Sequence, residues 1–274
     1  MFLEIYLKNK YKYISFINIF IKEMRLFLQI IHKIILVGMP LVVYNPFTNK
    51  FNAPFNVKEY STYLNFKLDN YQKDYLNAYI HQFTNNLSLT PVKISKIDKE
   101  DYYLSVNIYN CSSPLFLNND VDVTRCEINT YVKDNNNNYG TIILDYNSNG
   151  FSLDPVDLFK LNQNTKMEKI DNVIKCIAKD EKIDLSINYN YLKTKKYSMD
   201  ESLVKFTDNI FYKNGICEKL YYDSSLTTAV TISPIKFTGF KFKYKDLVFE
   251  KIHSIFYFKN DVNFICSLWD NLYS

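Results

Sequence analysis

The sequence predicts an α+β fold dominated by strands: an antiparallel β-barrel or strongly curved sheet with one or two helices, plus an N-terminal amphipathic helix. Alternation of apolar and polar residues, typical of half-buried strands, recurs through most of the chain after residue 90. Apolar residues at helical spacing are concentrated in two stretches, 14–37 and 69–84. No Gly- or Ser-rich linker divides residues 39–274, so we expect them to form one β-rich domain.

The first 38 residues are basic and apolar, unlike the remainder. They contain six lysines and arginines and two glutamates, and this excess equals the net charge of the whole chain, +4. Residues 14–37 predict an amphipathic helix, because their polar side chains recur at steps of three and four. Its uncharged stretches are too short to span a membrane. Three alternatives remain open: a helix that contacts a membrane or partner surface, a poor secretion signal or anchor, or translated sequence upstream of Met39.

The second helical stretch, 69–84, follows a candidate N-cap at Asp69. Its aromatic residues repeat every four positions and have two aliphatic residues beside them, which predicts a stripe that packs on the core. We expect His81, next to this stripe, to be solvent-facing or hydrogen-bonded rather than catalytic. The stripe consists of Tyr71, Tyr75, Tyr79 and Phe83, with Leu76 and Ile80 alongside.

Strand patterns follow the helix. Between two of the predicted strands, residues 133–140 form a polar turn, and a short helix is predicted at 154–159. Residues 167–180 are rich in lysine and are predicted to be extended. One strand is predicted before the helix, at 41–44, where Asn45-Pro46 and then Pro54 break the chain. The others are predicted at 91–97, 102–110, 123–132, 141–146 and 183–191, and near 204–213, 218–222, 226–232, 235–244 and 247–258.

Composition excludes several classes of function. With 5 glycines in 274 residues, the chain lacks the spaced glycines of phosphate loops and dinucleotide-binding turns. Five dispersed cysteines and 3 histidines show no metal-ligand spacing, so we predict no metal and no cofactor, and a reducing, cytoplasmic location. Residues 39–274 are electrically neutral, which argues against a nucleic-acid partner. Lysines alternate with aromatic residues in 236–245. This pattern predicts a β-strand with one wet face rather than a surface that binds single-stranded nucleic acid.

One stretch, residues 125–131, contains the candidate binding residues. In a strand, Arg125, Glu127, Asn129 and Tyr131 point to one side, because side chains alternate. Two alternatives remain open for this polar face. It is a solvated outer face, or it lines a barrel interior where an Arg–Glu pair orients a small anionic or carbonyl ligand.

The segment RCEINTYV, followed by Gly140-TIILDY, resembles the acetoacetate decarboxylase-like superfamily over residues 102–146. The resemblance implies a strand that bears Arg and Glu, then a turn and a Gly-led apolar strand. In the decarboxylases a Schiff-base lysine comes from a Lys-Lys pair just after the Glu, where this chain has Lys133 alone. Its adjacent pair, Lys195 and Lys196, lies far downstream. If the chain is an enzyme, the resemblance implies a decarboxylase-like lyase, and we predict no catalytic residue.

Two functions follow from these patterns. The first is a β-barrel that binds a small anionic or carbonyl ligand through the Arg125–Tyr131 face. The second is a non-enzymatic protein that meets a partner or a membrane surface through exposed aromatic residues or residues 14–37. The abundance of Tyr, Phe, Asn, Lys and Ile indicates an A/T-rich genome, such as that of some viruses, protists or endosymbionts, and we expect an accessory protein.

Overall fold

The computed structural model describes residues 43–45, 50–82, 84, 86–92, 100–112, 123–150, 164–191, 194–196, 206, 209–212, 215–222, 229–232, 237–258 and 261–269. The N-terminal segment 1–38 and the short helix predicted at 154–159 lie outside these residues. The elements of the first half are β1 Val43–Asn45, β2 Lys50–Val57, β3 Thr62–Lys67, α1 Asn70–His81, β4 Leu87–Leu89, β5 Tyr103–Ser112, β6 Val123–Asp134 and β7 Tyr139–Ser148. Those of the second half are β8 Lys166–Ile170, β9 Val173–Lys179, β10 Ile183–Asn190, β11 Thr194–Lys196, β12 Asn209–Tyr212, β13 Gly215–Tyr222, β14 Ala229–Ile232, β15 Phe237–Tyr244, β16 Leu247–Phe249, β17 Ser254–Phe258 and β18 Val262–Trp269.

Helix α1 begins where the sequence predicts. The Asp69 side chain accepts a hydrogen bond from the backbone N–H of Gln72, and the Gln72 side chain accepts one from the backbone N–H of Asp69. This capping box satisfies two N–H groups that the first turn leaves without a helical partner. His81 is exposed, which is one of the two predicted environments.

The buried side of α1 differs from the predicted aromatic stripe. Leu76 and Ile80 are fully buried, whereas Tyr75 and Tyr79 pack half-buried against the core. Tyr71 is 68% exposed, so its assignment to the core is wrong. The cause is geometric: side chains four residues apart drift around the helix, since 3.6 residues complete a turn, and the aliphatic pair is centred on the sheet.

Among the described residues, thirteen strands form one large sheet, in the order β1-β2-β18-β13-β12-β7-β6-β5-β3-β17-β14-β11, with β4 beside β6. Strand β2 also pairs with β5, through Asn56 opposite Ser112 and Val57 opposite Cys111. The pairings therefore run from β2 through β18, β13, β12, β7, β6 and β5 and return to β2. Such a circuit gives the sheet an inner and an outer side and confirms the predicted strongly curved, strand-dominated fold.

The outer side of this circuit carries the main hydrophobic core. Leu104, Val106 and Ile108 of β5 share it, as predicted, and belong to the main hydrophobic core. Helix α1 and a five-stranded sheet, β16-β15-β10-β9-β8, contribute the opposing side chains of that core. The core therefore lies between the curved sheet and this second layer.

Most strands predicted after residue 100 agree with the structure. The lysine-rich stretch 167–180 is a hairpin, β8–β9, and the stretch 247–258 is divided between β16 and β17. In β15, Lys241 and Lys243 are exposed while Phe242 and Tyr244 are buried, so this is the predicted strand with one wet face.

A break predicted at Pro54 is wrong, because β2 continues through it. Proline lacks an N–H and is tolerated where a strand has a neighbour on one side only. Among the described residues Pro54 meets this condition: β1 pairs with β2 as far as Asn52, β5 pairs from Asn56 onward, and β18 is the one strand opposite Pro54.

No helix in the described part of the chain is both long enough and apolar enough to cross a membrane.

Candidate ligand-binding site

Strand β6 places the four predicted site residues on the inner side of the sheet. Arg125 is 1% exposed, Glu127 8%, Asn129 2% and Tyr131 8%. Their neighbours Cys126, Ile128 and Val132 point outward into the main core. The alternative that the polar face is a solvated outer face is therefore wrong, since both faces of β6 are buried.

Glu127 is the centre of the polar cluster. Its Oε1 atom accepts hydrogen bonds from Arg125 Nε at 2.6 Å and from the Tyr109 hydroxyl at 2.7 Å. Its Oε2 atom accepts a longer bond of 3.4 Å from Asn129 Nδ2. Strand pairing explains the convergence, because Tyr109 of β5 lies directly opposite Arg125. The ion pair and these hydrogen bonds offset the cost of burying the carboxylate.

The Arg125 guanidinium lies over the ring of Tyr146, with 4.1 Å between its central carbon and the ring centroid. Tyr146 is fully buried and stands opposite Glu127 in the pairing of β6 with β7. The ring thus supports the cation from the side of β7 while Glu127 binds it along β6. These two contacts give the guanidinium a defined orientation.

Tyr131 belongs to a neighbouring part of the same face and not to the Glu127 cluster. Its hydroxyl donates to Asn65 Oδ1 of β3 at 3.0 Å. Asn65 stands opposite Ser105 of β5, which in turn stands opposite Asn129. The sheet therefore aligns Asn65, Ser105 and Asn129 in one row across three strands.

Sequence reasoning missed Asn65, Tyr109 and Tyr146. The signal for Asn65 is present in Tyr63-Leu64-Asn65-Phe66, where polar and apolar residues alternate, but β3 was not predicted. Tyr109 and Tyr146 lie at the ends of predicted strands and face inward by the same alternation. Their contact with the Arg–Glu pair depends on pairing between strands, which alternation does not reveal.

The two phenols of this face remain protonated near neutral pH. Burial raises the pKa of Tyr131 to about 12. Burial also raises the pKa of Tyr109 well above its usual value, and the negative charge of Glu127 adds to this. Both hydroxyls therefore act as hydrogen-bond donors and not as bases.

A second buried carboxylate, Asp145, lies on the outer side of β7. It accepts from Lys182 Nζ at 3.0 Å and from the Tyr244 hydroxyl at 2.8 Å, and Lys245 Nζ is 4.0 Å away. Burial lowers the pKa of Lys245. This cluster connects β7 to the five-stranded sheet and is separated from Glu127 by the sheet itself.

Lys133, at the position where the resemblance implies the decarboxylase nucleophile, lies at the end of the β6–β7 hairpin. Its ammonium donates to Asn137 Oδ1 of the turn at 3.4 Å. Lys195 and Lys196 are in β11, and their side chains lie outside the described residues. Arg125, Glu127 and Asn129 are thus the predicted residues that the fold brings into direct contact.

Alkaline pH is expected to destabilise the fold through these buried phenols. Because the pKa of Tyr131 is raised from 10.0 to about 12, its contribution to stability is complete below pH 10 and is lost as the pH rises toward 12. The free energy of unfolding then falls by about 1.4 kcal/mol per pH unit for each such tyrosine. Urea denaturation across this range should give a shallower fall for Tyr131→Phe than for Tyr71→Phe, whose ring is exposed. Equal slopes for the two variants would contradict the prediction.

No protein-family model matches the sequence, and no curated protein matches it. Among solved structures, the chain is similar to the enduracididine biosynthesis enzyme MppR with HEPES buffer bound, at 7% identity over 81% of this chain and 89% of that one, with a TM-score of 0.44. It is similar to MppR complexed with the condensation product of pyruvate and imidazole 4-carboxaldehyde, at 7% identity, 81% and 90% coverage and a TM-score of 0.43. An acetoacetate decarboxylase-like enzyme from Sphingomonas wittichii RW1 is similar at 6% identity, 78% and 90% coverage and a TM-score of 0.38. The likeness to these three structures lies in the fold alone.

Proposed function

We propose that the chain binds a small carbonyl-containing or anionic ligand on the inner side of the curved sheet, with Arg125, Glu127, Asn129 and Tyr131 as binding residues. The observation that supports this is the burial of a charged pair together with amides and phenols on a face where the main core is absent. A face that served packing alone would gain more from apolar side chains, because a buried ion pair stabilises a fold less than well-packed hydrophobic residues of similar volume. Buried polar groups that converge in an enclosed space are typical of ligand sites.

Each residue has a role that follows from its chemistry. The guanidinium of Arg125 donates to a carbonyl or carboxylate oxygen, and Glu127 and Tyr146 hold it in position. Asn129 supplies an amide beside it, and Tyr131 orients Asn65. The proposal includes no covalent step.

The alternative, a protein-interaction or membrane-surface protein, depends mainly on residues 14–37, which lie outside the described residues. Among the described residues, the exposed large hydrophobic side chains lie on separate elements: Tyr71 on α1, Val248 on β16, and Ile170 and Val173 at the β8–β9 turn. This distribution favours the inner site over a docking surface. The origin in an A/T-rich, viral genome and the accessory role remain predictions.

The test is direct binding of three probes that share an acetoacetyl unit: acetoacetate, acetoacetamide and pentane-2,4-dione. Titration of the full chain, followed by the methyl resonances of isoleucine, should shift Ile143 and leave Ile142 unchanged. Ile143 stands opposite Asn129 on the inner side, whereas Ile142 belongs to the outer core. This readout needs no variant and locates the ligand.

A pair of double variants tests the charged residues. Arg125→Met with Glu127→Gln removes the buried ion pair, and we expect it to weaken probe binding by about 10-fold or more, since hydrogen bonds to charged groups are the strong ones. Lys241→Met with Asp184→Asn makes the same change in an exposed pair and should leave binding unchanged. The proposal is overturned if no probe binds at its solubility limit, if Ile142 responds as strongly as Ile143, or if both double variants bind like the parent.

A further inference from the structure

The inner side of the sheet carries no net charge among its buried, described residues. The buried charged side chains of the described chain are Arg125, Glu127 and Asp145, and Asp145 lies on the outer side. The remaining two form an ion pair at 2.6 Å. Among these described side chains a charged ligand finds one counter-ion, the guanidinium, for which it competes with Glu127, and an uncompensated buried charge is strongly unfavourable.

Two amide groups on this face have hydrogen-bonding atoms that lack a partner among the described residues. One is Oδ1 of Asn129, and the other is Nδ2 of Asn65. Both side chains are more than nine-tenths buried, at 2% and 0% exposure. An unsatisfied buried polar atom costs about 1–3 kcal/mol, so both atoms favour a ligand that supplies the missing partner.

The orientation of the Asn129 amide is determined by its neighbour. Its Nδ2 atom donates to Glu127 Oε2. The flipped amide would bring its oxygen against the carboxylate oxygen, which is repulsive. Asn129 Oδ1 therefore faces the ligand as an acceptor and requires an N–H or O–H donor.

Asn65 offers the complementary group. Its Oδ1 atom accepts the Tyr131 hydroxyl, which leaves Nδ2 as a donor that requires an acceptor such as a carbonyl oxygen. Ser105 lies between Asn65 and Asn129 in the row, and its hydroxyl donates sideways to Asn107 at 3.1 Å. The Tyr131 hydroxyl lies against Asn65 and Ser105, and the strands of the two amides are about two spacings of 4.8 Å apart.

Resting on the function proposed above, we infer that the ligand is uncharged and carries both a carbonyl group and an N–H or O–H donor, as a primary amide or hydroxy ketone does. Its carbonyl oxygen accepts from Asn65 Nδ2, and its donor binds Asn129 Oδ1. Of the two ligand classes in the proposed function, the inference therefore favours the uncharged carbonyl-containing ligand over the anionic one. It also adds Asn65 of β3 to the binding residues.

The three probes named above separate the ligand classes, because they share an acetoacetyl unit and differ in the group at its end. Acetoacetamide is uncharged and has both a donor and carbonyl acceptors, pentane-2,4-dione is an uncharged ketone that lacks the amide N–H donor, and acetoacetate is an anion. We expect acetoacetamide to bind about 10-fold more tightly than either of the others, which is the effect of one buried hydrogen bond that is left unmade. Calorimetric titration of the full chain at neutral pH measures the three dissociation constants.

Asn129→Leu tests the contact, with Asn147→Leu as the matched control. Asn147 is equally buried, with neither amide atom partnered among the described residues, but it stands opposite Cys126 on the outer side of the sheet. Asn129→Leu should abolish the preference for acetoacetamide over pentane-2,4-dione, and Asn147→Leu should retain it. Asn129→Ala serves as a second variant if the leucine variant does not fold.

The outcomes distinguish this inference from the function on which it rests. If no probe binds, the proposed function fails, and this inference fails with it. The probes could instead bind at Ile143 with acetoacetate bound as tightly as acetoacetamide or more tightly. In that case the proposed function stands, and the inference that the ligand is uncharged is wrong. If Asn129→Leu leaves the amide preference intact, Asn129 Oδ1 is not the acceptor and the inference is overturned.

Discussion

Replacement of Arg125 by methionine is expected to lower the free energy of unfolding by about 3–5 kcal/mol. The substitution leaves Glu127 buried at 8% exposure, with the Tyr109 hydroxyl and the Asn129 amide as its remaining hydrogen-bond donors in the described residues. Two neutral donors do not compensate a buried carboxylate for the loss of both water and its counter-ion. Urea denaturation of the parent and the variant measures the difference.

The double variant Arg125→Met with Glu127→Gln should recover most of this loss. The glutamine oxygen can still accept from Tyr109, and no charge remains unpaired. Lys241→Met provides the single-charge control, because its ammonium pairs with Asp184 but its side chain is 65% exposed and water replaces the partner. If Arg125→Met destabilises the fold no more than Lys241→Met does, the buried pair does not have the energetic role described.

Replacement of Phe66 by alanine is expected to destabilise the fold by a similar amount, about 3–5 kcal/mol. Phe66 of β3 is fully buried at the joint between the curved sheet and the five-stranded sheet. Its ring centroid lies 4.7 Å from that of Phe242, 5.2 Å from Phe249 and 5.8 Å from Phe240. The alanine variant loses the transfer free energy of the ring and leaves a cavity that two β-sheets cannot close easily.

Val248→Ala is the control for this change. Val248 lies next to Phe249 on β16 but points outward and is 59% exposed, so its truncation should have little effect on the denaturation midpoint. A Phe66→Ala variant that unfolds at the same urea concentration as Val248→Ala would show that the ring cluster does not hold the two sheets together.

Local patterns were sufficient for much of this fold. The cap at Asp69 and the start of α1 follow from side chain–backbone hydrogen bonds within four residues, which the sequence displays directly. The division of β6 into a polar and an apolar side follows from alternation, since successive side chains of any strand point to opposite faces. Similarity of residues 102–146 to a known superfamily predicted the order of two strands and the turn between them.

Local patterns failed where a residue's role depends on a partner distant in the chain. The break predicted at Pro54 ignored that β2 has a single neighbour at that point, which depends on β1, β5 and β18 together. Tyr71 repeats at the spacing of a core residue, but the position of the sheet relative to α1 decides which side of the helix is buried.

The sequence by itself determined that Arg125, Glu127, Asn129 and Tyr131 share one face of a strand, because that follows from the geometry of an extended chain. The tertiary structure alone decided that this face is buried. Closure of the sheet by the pairing of β2 with β5 encloses it, and the packing of α1 and the five-stranded sheet occupies the other side. Burial then changes the chemistry: an Arg–Glu pair that would contribute little in water becomes a strongly coupled pair when both charges are removed from solvent.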